Sequence, residues 1–377
     1  MRNLLAVLFF FTFVCSHAQS KQKPGDLDNL NKCIAAHTSY FSFEGDRPAG
    51  SAWDTLTALF AKNEFVAWGE YHNSPLLSRL TAFAMEAAGK HGYETLCVET
   101  SPFIASELMR ISRTSSPADT LEKIFKEGYP GIGTIPFFRS KEDAQILLAA
   151  DRLRYKIWGI DQEFQMAFSY GITKAFNAQS NKVKTRFKPV VDSLLARWWY
   201  PDTKLLDSLG KIVRQKKLKA MLNDIEISKE IYRDNDNEGR ASLMKRNFFR
   251  YYDNAKGSKV FFKMGGNHLA KGINLQTNLY DIGNAIYELS QRNNSNFTNV
   301  YIMARYTTEK GVLVDDLYAE QNENPKVFSQ LYDRSKWVLV DIRSLRSRLN
   351  YDNTLNRDTY ALIEKYDYVL VSPEVLH

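Results

Sequence analysis

Cysteine is scarce in this chain: there are three, and one of them, Cys15, lies inside an N-terminal apolar run. The other two, Cys33 and Cys97, permit at most one bridge, so disulfides cannot be the main scaffold. Spacing alone does not pair them, and Cys97 sits in the apolar run "ETLCVE", where a small buried residue fits. Beyond the N-terminus no apolar run reaches the roughly 20 residues that a bilayer-spanning helix needs. No sign of charge dominates either. Lys and Arg alternate with Asp and Glu, and the net charge is a modest +7, which argues for a solvated surface and against a nucleic-acid face. A G-x-S-x-G nucleophile elbow and an H-E-x-x-H zinc helix are both missing. Internal repeats and low-complexity tracts are missing too. What is abundant is core material: 44% hydrophobic and 13% aromatic residues, enough for a large folded domain.

The first stretch, "MRNLLAVLFFFTFVCSHAQS", has Arg2, an apolar run from Leu4 to Val14, and then Ser16-His17-Ala18. This pattern reads as a secretory signal peptide, residues 1–18, with a run too short for a span. The expectation is an exported protein, periplasmic or secreted, with no stable membrane span after cleavage. Its domain is expected over residues 26–377.

Short apolar runs rich in β-branched and aromatic residues mark strands at Phe65–Trp68, Thr95–Val98, Tyr155–Gly159, Lys259–Lys263, Asn299–Ala304, Trp337–Val340 and Tyr368–Val371. Helical patterns lie between the early ones, with Ser74, Ser101 and Ser140 as expected caps. Strand alternating with helix implies an α/β fold: a mostly parallel central sheet flanked by helices. From about residue 164 to 257 the rhythm changes to long charged helices, which predicts a helical insertion.

Four predicted strands end alike. "FVAWG" runs into Glu70 and His72; "TLCV" into Glu99; "YKIWGI" into Asp161 and Glu163; "KVFFKMGG" into Asn267 and His268. In a parallel sheet the carboxyl ends of strands share one edge, and ligands bind there. A lone acid after a strand is commonly a helix cap, and a lone histidine a satisfied core residue. Seven polar or ionisable groups on one edge exceed what capping needs, and burying them unpaired would cost several kcal/mol each. Two G-x-x-H tetrapeptides, Gly69–His72 and Gly265–His268, add glycines where a strand must turn sharply.

With these residues in view the chain resembles the superfamily of erythromycin esterases, haem-binding ChaN proteins and TraB/Tiki proteins. "GEYH", "CVETSP", "WGID" and "KMGGNHLAKG" follow its motif series in order, from about Phe65 to Gly272. The stretch "GRASLMKRNFFRYYDNAKGSKVFFKMGGNHLAKG" is most similar to the esterase branch, with Arg240, Met244, Asn247, Asn267 and His268 at corresponding positions. That resemblance implies water activated by His72 with help from Glu99, and a pocket completed by Glu70, Arg240 and His268. Asp161, Glu163 and Asn267, from their strand-end positions, and Arg79, which resembles an arginine of the family's following helix, are the expected substrate-binding residues. One departure stands out: a single residue, Tyr71, separates Glu70 from His72, where the esterases have two, and this spacing resembles the ChaN branch.

The side-chain chemistry agrees with hydrolysis. Histidine suits general-base work near neutrality, and the helix N-terminus behind His72 is expected to favour its neutral form. Arg240 or His268 suits an oxyanion. The expected partner is a small-molecule or peptide substrate. Two alternatives stay open: ligand or haem binding of the ChaN type without turnover, and metal-dependent peptide hydrolysis of the Tiki type with a divalent ion held by dispersed histidines and carboxylates.

Overall fold

The computed structural model describes residues 24–128, 133–309, 312–315, 325–350 and 355–374. Residues 1–18, read above as a leader, lie outside them. In chain order the strands are β1 (Thr38–Glu44), β2 (Arg47–Ala49), β3 (Phe65–Glu70), β4 (Tyr93–Val98), β5 (Lys156–Gly159), β6 (Lys259–Gly265), β7 (Phe297–Met303), β8 (Tyr306–Glu309), β9 (Val312–Asp315), β10 (Trp337–Asp341) and β11 (Tyr368–Val371). Nine of them make one sheet in the order β2-β1-β10-β11-β7-β3-β6-β4-β5, and β8 pairs with β9 alone. From β11 to β5 every pairing is parallel; β10, β1 and β2 extend that edge antiparallel. The sheet is thus α/β and mostly parallel, as expected. All seven expected strands are present.

Both faces of the central strands are buried, as a parallel sheet covered by helices requires. On β3 and β6, Val66, Trp68 and Phe261 face one core, together with Leu77, Leu80, Ile104 and Ile146 from covering helices. Their neighbours Phe65, Ala67, Phe262 and Met264 face the other, against Phe248 and Tyr252. A third cluster joins β10 and β11 to the C-terminal helices through Val338, Val369 and Leu362.

Five helices, from Gln165 to Asp253, fill the interval between β5 and β6. The last of them, Asn237–Asp253, lies on the second core through Met244, Phe248 and Tyr252, and so carries Arg240 in its first turn to the carboxyl edge of the sheet. Asp236 caps it by accepting from the Gly239 amide at 2.7 Å. Ser101 and Ser140 cap their helices through their side chains, as expected. Ser74 does not: its hydroxyl makes no cap bond, and Pro75 opens the helix Pro75–Gly89 at its first position.

Chain order conceals the feature that matters most for function. β6 follows the insertion yet slots between β3 and β4. Its register sets Gly265 beside Glu70 and Lys263 beside Val98, so three strand ends converge. Gly265 and Gly266 make that convergence fit. A Cβ on Gly265 would stand 3.0 Å from both Glu99 Oε2 and His72 Nε2, and one on Gly266 would meet the Tyr301 ring at 2.7 Å.

The packing beneath this edge is tested at Phe261, fully buried and edge-on to Phe60 and Trp68 with centroids 5.3 and 5.2 Å away. Phe261→Ala is expected to lower the unfolding free energy by about 3–5 kcal/mol in urea titrations. A loss under 1 kcal/mol would contradict this packing.

Candidate active site

Five side chains form an alternating series of carboxylate and imidazole. Glu70, the last residue of β3, accepts from His72 Nδ1 at 2.9 Å. His72 Nε2 points the other way, 3.2 Å from Glu99 Oε2. On the far side of Glu99, His268 Nε2 lies 3.4 Å from Oε1. His268 Nδ1 in turn donates to Asp281 Oδ2 at 2.7 Å. Each ring therefore has its outer nitrogen fixed by a carboxylate and its inner nitrogen aimed at one shared acid.

Each member is held by the local backbone. Glu99 follows β4 directly, and the Gly265 amide donates to its Oε2 at 2.7 Å. His268 rides on the single 3-10 turn Gly266–Leu269 that ends β6. Asp281 caps the helix Ile282–Arg292, accepting from the Ile282 amide at 2.7 Å and from Asn274 Nδ2 at 3.3 Å. Glu70 also receives Lys263 Nζ at 2.6 Å, both side chains being almost wholly buried. Arg240 grips Asp161 with Nε at 3.0 Å and Nη2 at 2.5 Å, and reaches Glu99 Oε1 at 2.9 Å with the same Nη2. Asp161 is positioned by its own backbone, whose amide donates to Thr100 O at 2.9 Å and so ties the ends of β4 and β5 together.

This arrangement sets the charges. Burial pushes His72 towards its neutral form, but Glu99 and Glu70 outweigh burial and raise its pKa to about 9. Burial likewise opposes charge on His268, yet Glu99 and Asp281 raise it to about 10. Burial would lift the Glu99 carboxyl; His268 and His72 instead hold it well below the usual carboxylate range. Glu70 is similarly pushed up by burial and held lower by Lys263 and His72. Both rings therefore rest as imidazolium at neutral pH. The expectation of a neutral His72 is corrected: two carboxylates in contact with the ring outweigh the dipole of the helix behind it.

An aromatic cover completes the site. The Phe137 ring stacks on His72 with centroids 3.6 Å apart and planes 13° from parallel. Phe164 meets Phe137 edge-on at 5.5 Å and lies under the Arg240 guanidinium at 5.6 Å. Phe137 holds a φ of 61°, costly for a bulky side chain and a mark of a constrained loop. Open to solvent is a cleft of about 430 Å³, walled by Glu70, His72, Glu99, Arg240, Asn267, His268, Tyr301, Thr307 and Thr308.

The structure brings His72, Glu99, Glu70, His268, Arg240, Asp161 and Asn267 to this edge, and places two other expected residues elsewhere. Glu163 is fully buried, accepting from the Ser101 hydroxyl at 2.6 Å while its Oε1 has no partner; burial pushes its pKa up to about 8. Arg79 lies on the outer side of helix Pro75–Gly89, over the Phe43 ring and 3.4 Å from Asp46, lining a separate groove. Cys33 and Cys97 are both free thiols.

Three participants escaped sequence reasoning. Lys263 had a visible signal, a lysine inside an otherwise apolar strand, where an unpaired ammonium would be costly. Asp281 reads only as a helix cap. Phe137 lies in an irregular loop and carries no signal.

Among the described residues no group of three or more His, Cys, Asp or Glu is arranged to hold a metal ion. No helix among the described residues is long and apolar enough to cross a membrane.

No sequence profile of a known family matches the chain, and neither does any curated protein. Solved structures do. A histidine variant of the erythromycin esterase EreC, in its open conformation, aligns at a TM-score of 0.51 with 14% identity over 85% of this chain and 93% of its own. A protein of Bacillus cereus aligns at 0.53 with 12% identity, over 92% and 97%. A succinoglycan biosynthesis protein aligns at 0.54 with 12% identity, over 93% and 98%. The fold is shared with these proteins, in agreement with the superfamily the sequence resembles.

The charge pattern makes stability depend on pH in a stated direction. Both imidazoles bind protons more tightly in the folded chain, so their contribution is complete below the unfolded value of about 6.5. It is lost as pH rises through about 9 and about 10. Urea titrations are expected to show a fall between pH 6 and pH 10, and Glu99→Gln to flatten it. An unchanged slope in the variant would contradict the pairing. Lys263→Met is expected to cost about 3–5 kcal/mol by stranding Glu70, with much of the loss recovered in the double variant Lys263→Met, Glu70→Gln.

Proposed function

We propose that this protein hydrolyses an ester, lactone or amide by direct attack of water, in a cleft where His72 and Glu99 activate the water and His268 and Arg240 stabilise charge on the substrate. The observation that carries this reading is the convergence of both Nε2 atoms on Glu99 at the floor of an open cleft, with each outer nitrogen anchored. General acid–base chemistry needs such groups held at hydrogen-bond reach of one reacting centre.

A protein nucleophile is not offered. No serine or cysteine lines the cleft among the described residues. Cys97 is buried inside β4, and burial drives its thiol pKa well above its ordinary value, so it stays protonated and inert.

The steps follow from the charges. His72 in its deprotonated form takes a proton from water at Nε2 as the water oxygen bonds to the carbonyl carbon. The ring becomes an imidazolium between Glu70 and Glu99, which is the state those carboxylates favour. The carbonyl oxygen takes the electron pair, facing Arg240 and the charged His268. Collapse of the tetrahedral intermediate breaks the bond to the leaving oxygen or nitrogen, which accepts a proton from His268 Nε2. Glu99 is a poor base itself, since its carboxyl lies well below the usual range; it orients both rings and shares the water. The fold shared with an erythromycin esterase supports hydrolysis as the reaction class, while the substrate rests on the site.

His72→Asn is expected to reduce kcat/KM on an ester panel by roughly a hundred- to ten-thousand-fold, with far-UV circular dichroism unchanged. The rising limb of kcat/KM against pH is expected near 9, set by His72 in the free enzyme. Glu70→Gln should move that limb downward and lower the plateau. Ligand binding without turnover of any ester, lactone or amide would contradict the proposal.

A further inference from the structure

Beside the reaction cleft lies a second cavity of about 320 Å³. The two share three wall residues, Asn267, Gln276 and Tyr301, so they adjoin. Their walls differ. The first is built from paired charges. The second is lined by Leu275, Pro325, Ala361 and Leu362 together with the shared Asn267, Gln276 and Tyr301. A single charged residue, Asp358, lines it among the described residues; it is exposed at the rim, in the first turn of helix Arg357–Lys365.

We infer that this second cavity binds the apolar substituent of the substrate, a medium-length acyl chain or ring whose far end is neutral or cationic. The inference rests on the hydrolytic reading for the position of the reacting carbonyl, and on the shared wall for the path. A carbonyl placed over His72 and Glu99 carries two substituents. One faces the charged cleft and its solvent opening. The other passes Asn267 and Tyr301, where the amide suits the polar end of the scissile group and the ring suits the first carbons of a chain. Beyond them an apolar group leaves water for the Leu275, Ala361 and Leu362 surfaces, the ordinary source of affinity in such sites. Asp358 at the rim then discriminates: it repels a terminal carboxylate and tolerates a hydroxyl or an amine.

The test uses two probe pairs that differ by the same four methylenes. p-Nitrophenyl acetate and hexanoate report turnover; acetamide and hexanamide, titrated calorimetrically into the His72→Asn chain, report binding without it. Each buried methylene is worth up to about four-fold in affinity, so hexanamide is expected to bind at least about ten-fold more tightly than acetamide. Adipamic acid, with a terminal carboxylate, should bind more weakly than hexanamide. Ala361→Phe, which fills the cavity, should remove the preference for the six-carbon probes and leave acetate turnover within about two-fold. Leu275→Trp does the same from another segment, should the first variant fold poorly.

Equal binding of both amides by the His72→Asn chain, or a preference that survives both added substitutions, overturns the inference. Absence of turnover with a hexanamide preference that Ala361→Phe abolishes overturns the hydrolytic reading and leaves the cavity assignment standing.

Discussion

Glu99 is asked to accept from four donors at once: the Gly265 amide, the Arg240 guanidinium, and the two Nε2 nitrogens of His72 and His268. One buried carboxylate cannot stay in that position without such donors, and the donors cannot gather around anything less acidic. Most of the edge is arranged to meet this constraint. β6 lies between β3 and β4 so that Gly265 can donate. Gly265 lacks a Cβ because a methyl group would crowd both Glu99 and His72. Asp161 anchors Arg240 from the neighbouring strand end. Glu70 and Asp281 hold the outer nitrogens, and Lys263 balances Glu70 from beneath. Charge is conserved across the cluster: His72, His268, Arg240 and Lys263 face Glu70, Glu99, Asp161 and Asp281. A closed set of this kind avoids the several kcal/mol that an unpaired buried ion would cost.

The short spacing between Glu70 and His72 acquires a reason here. Residues i and i+2 of an extended chain project to the same side, so one intervening residue lets the two side chains meet directly. Asn73, with a φ of 65°, then turns the chain back before the helix begins at Pro75. Two intervening residues would place the acid and the ring on opposite sides. The departure from the esterase pattern thus marks a direct acid–imidazole contact and leaves the ring facing Glu99.

Much of this was legible beforehand, for identifiable reasons. Buried parallel strands write themselves as continuous apolar runs, so β3 to β7, β10 and β11 were readable from composition alone. Strand-end polar residues were readable because nothing in capping explains so many. What could not be read was strand order, since no local pattern says that β6 enters beside β3. The β1–β2 hairpin was hidden because only Phe41 of β1 is deeply buried and "TSYFSFE" alternates weakly. Asp281 was hidden because its role as a cap accounts for it fully. Glu163 and Arg79 were misplaced by the same rule that found Asp161: adjacency in sequence to a strand end or a motif helix, which fixes the backbone but not the direction of a side chain. The charge state of the rings was misjudged because helix dipoles are weak beside a carboxylate at 2.9 Å.

The central claim is that one buried carboxylate holds two imidazoles charged. Its most direct test is an NMR titration of the ring nuclei of His72 and His268 in the native chain and in Glu99→Gln. The account predicts that both rings titrate well above the ordinary histidine value, near 9 and 10, and that both fall together when Glu99 loses its charge. Rings that titrate near 6.5 in the native chain, or that ignore the substitution, would contradict it.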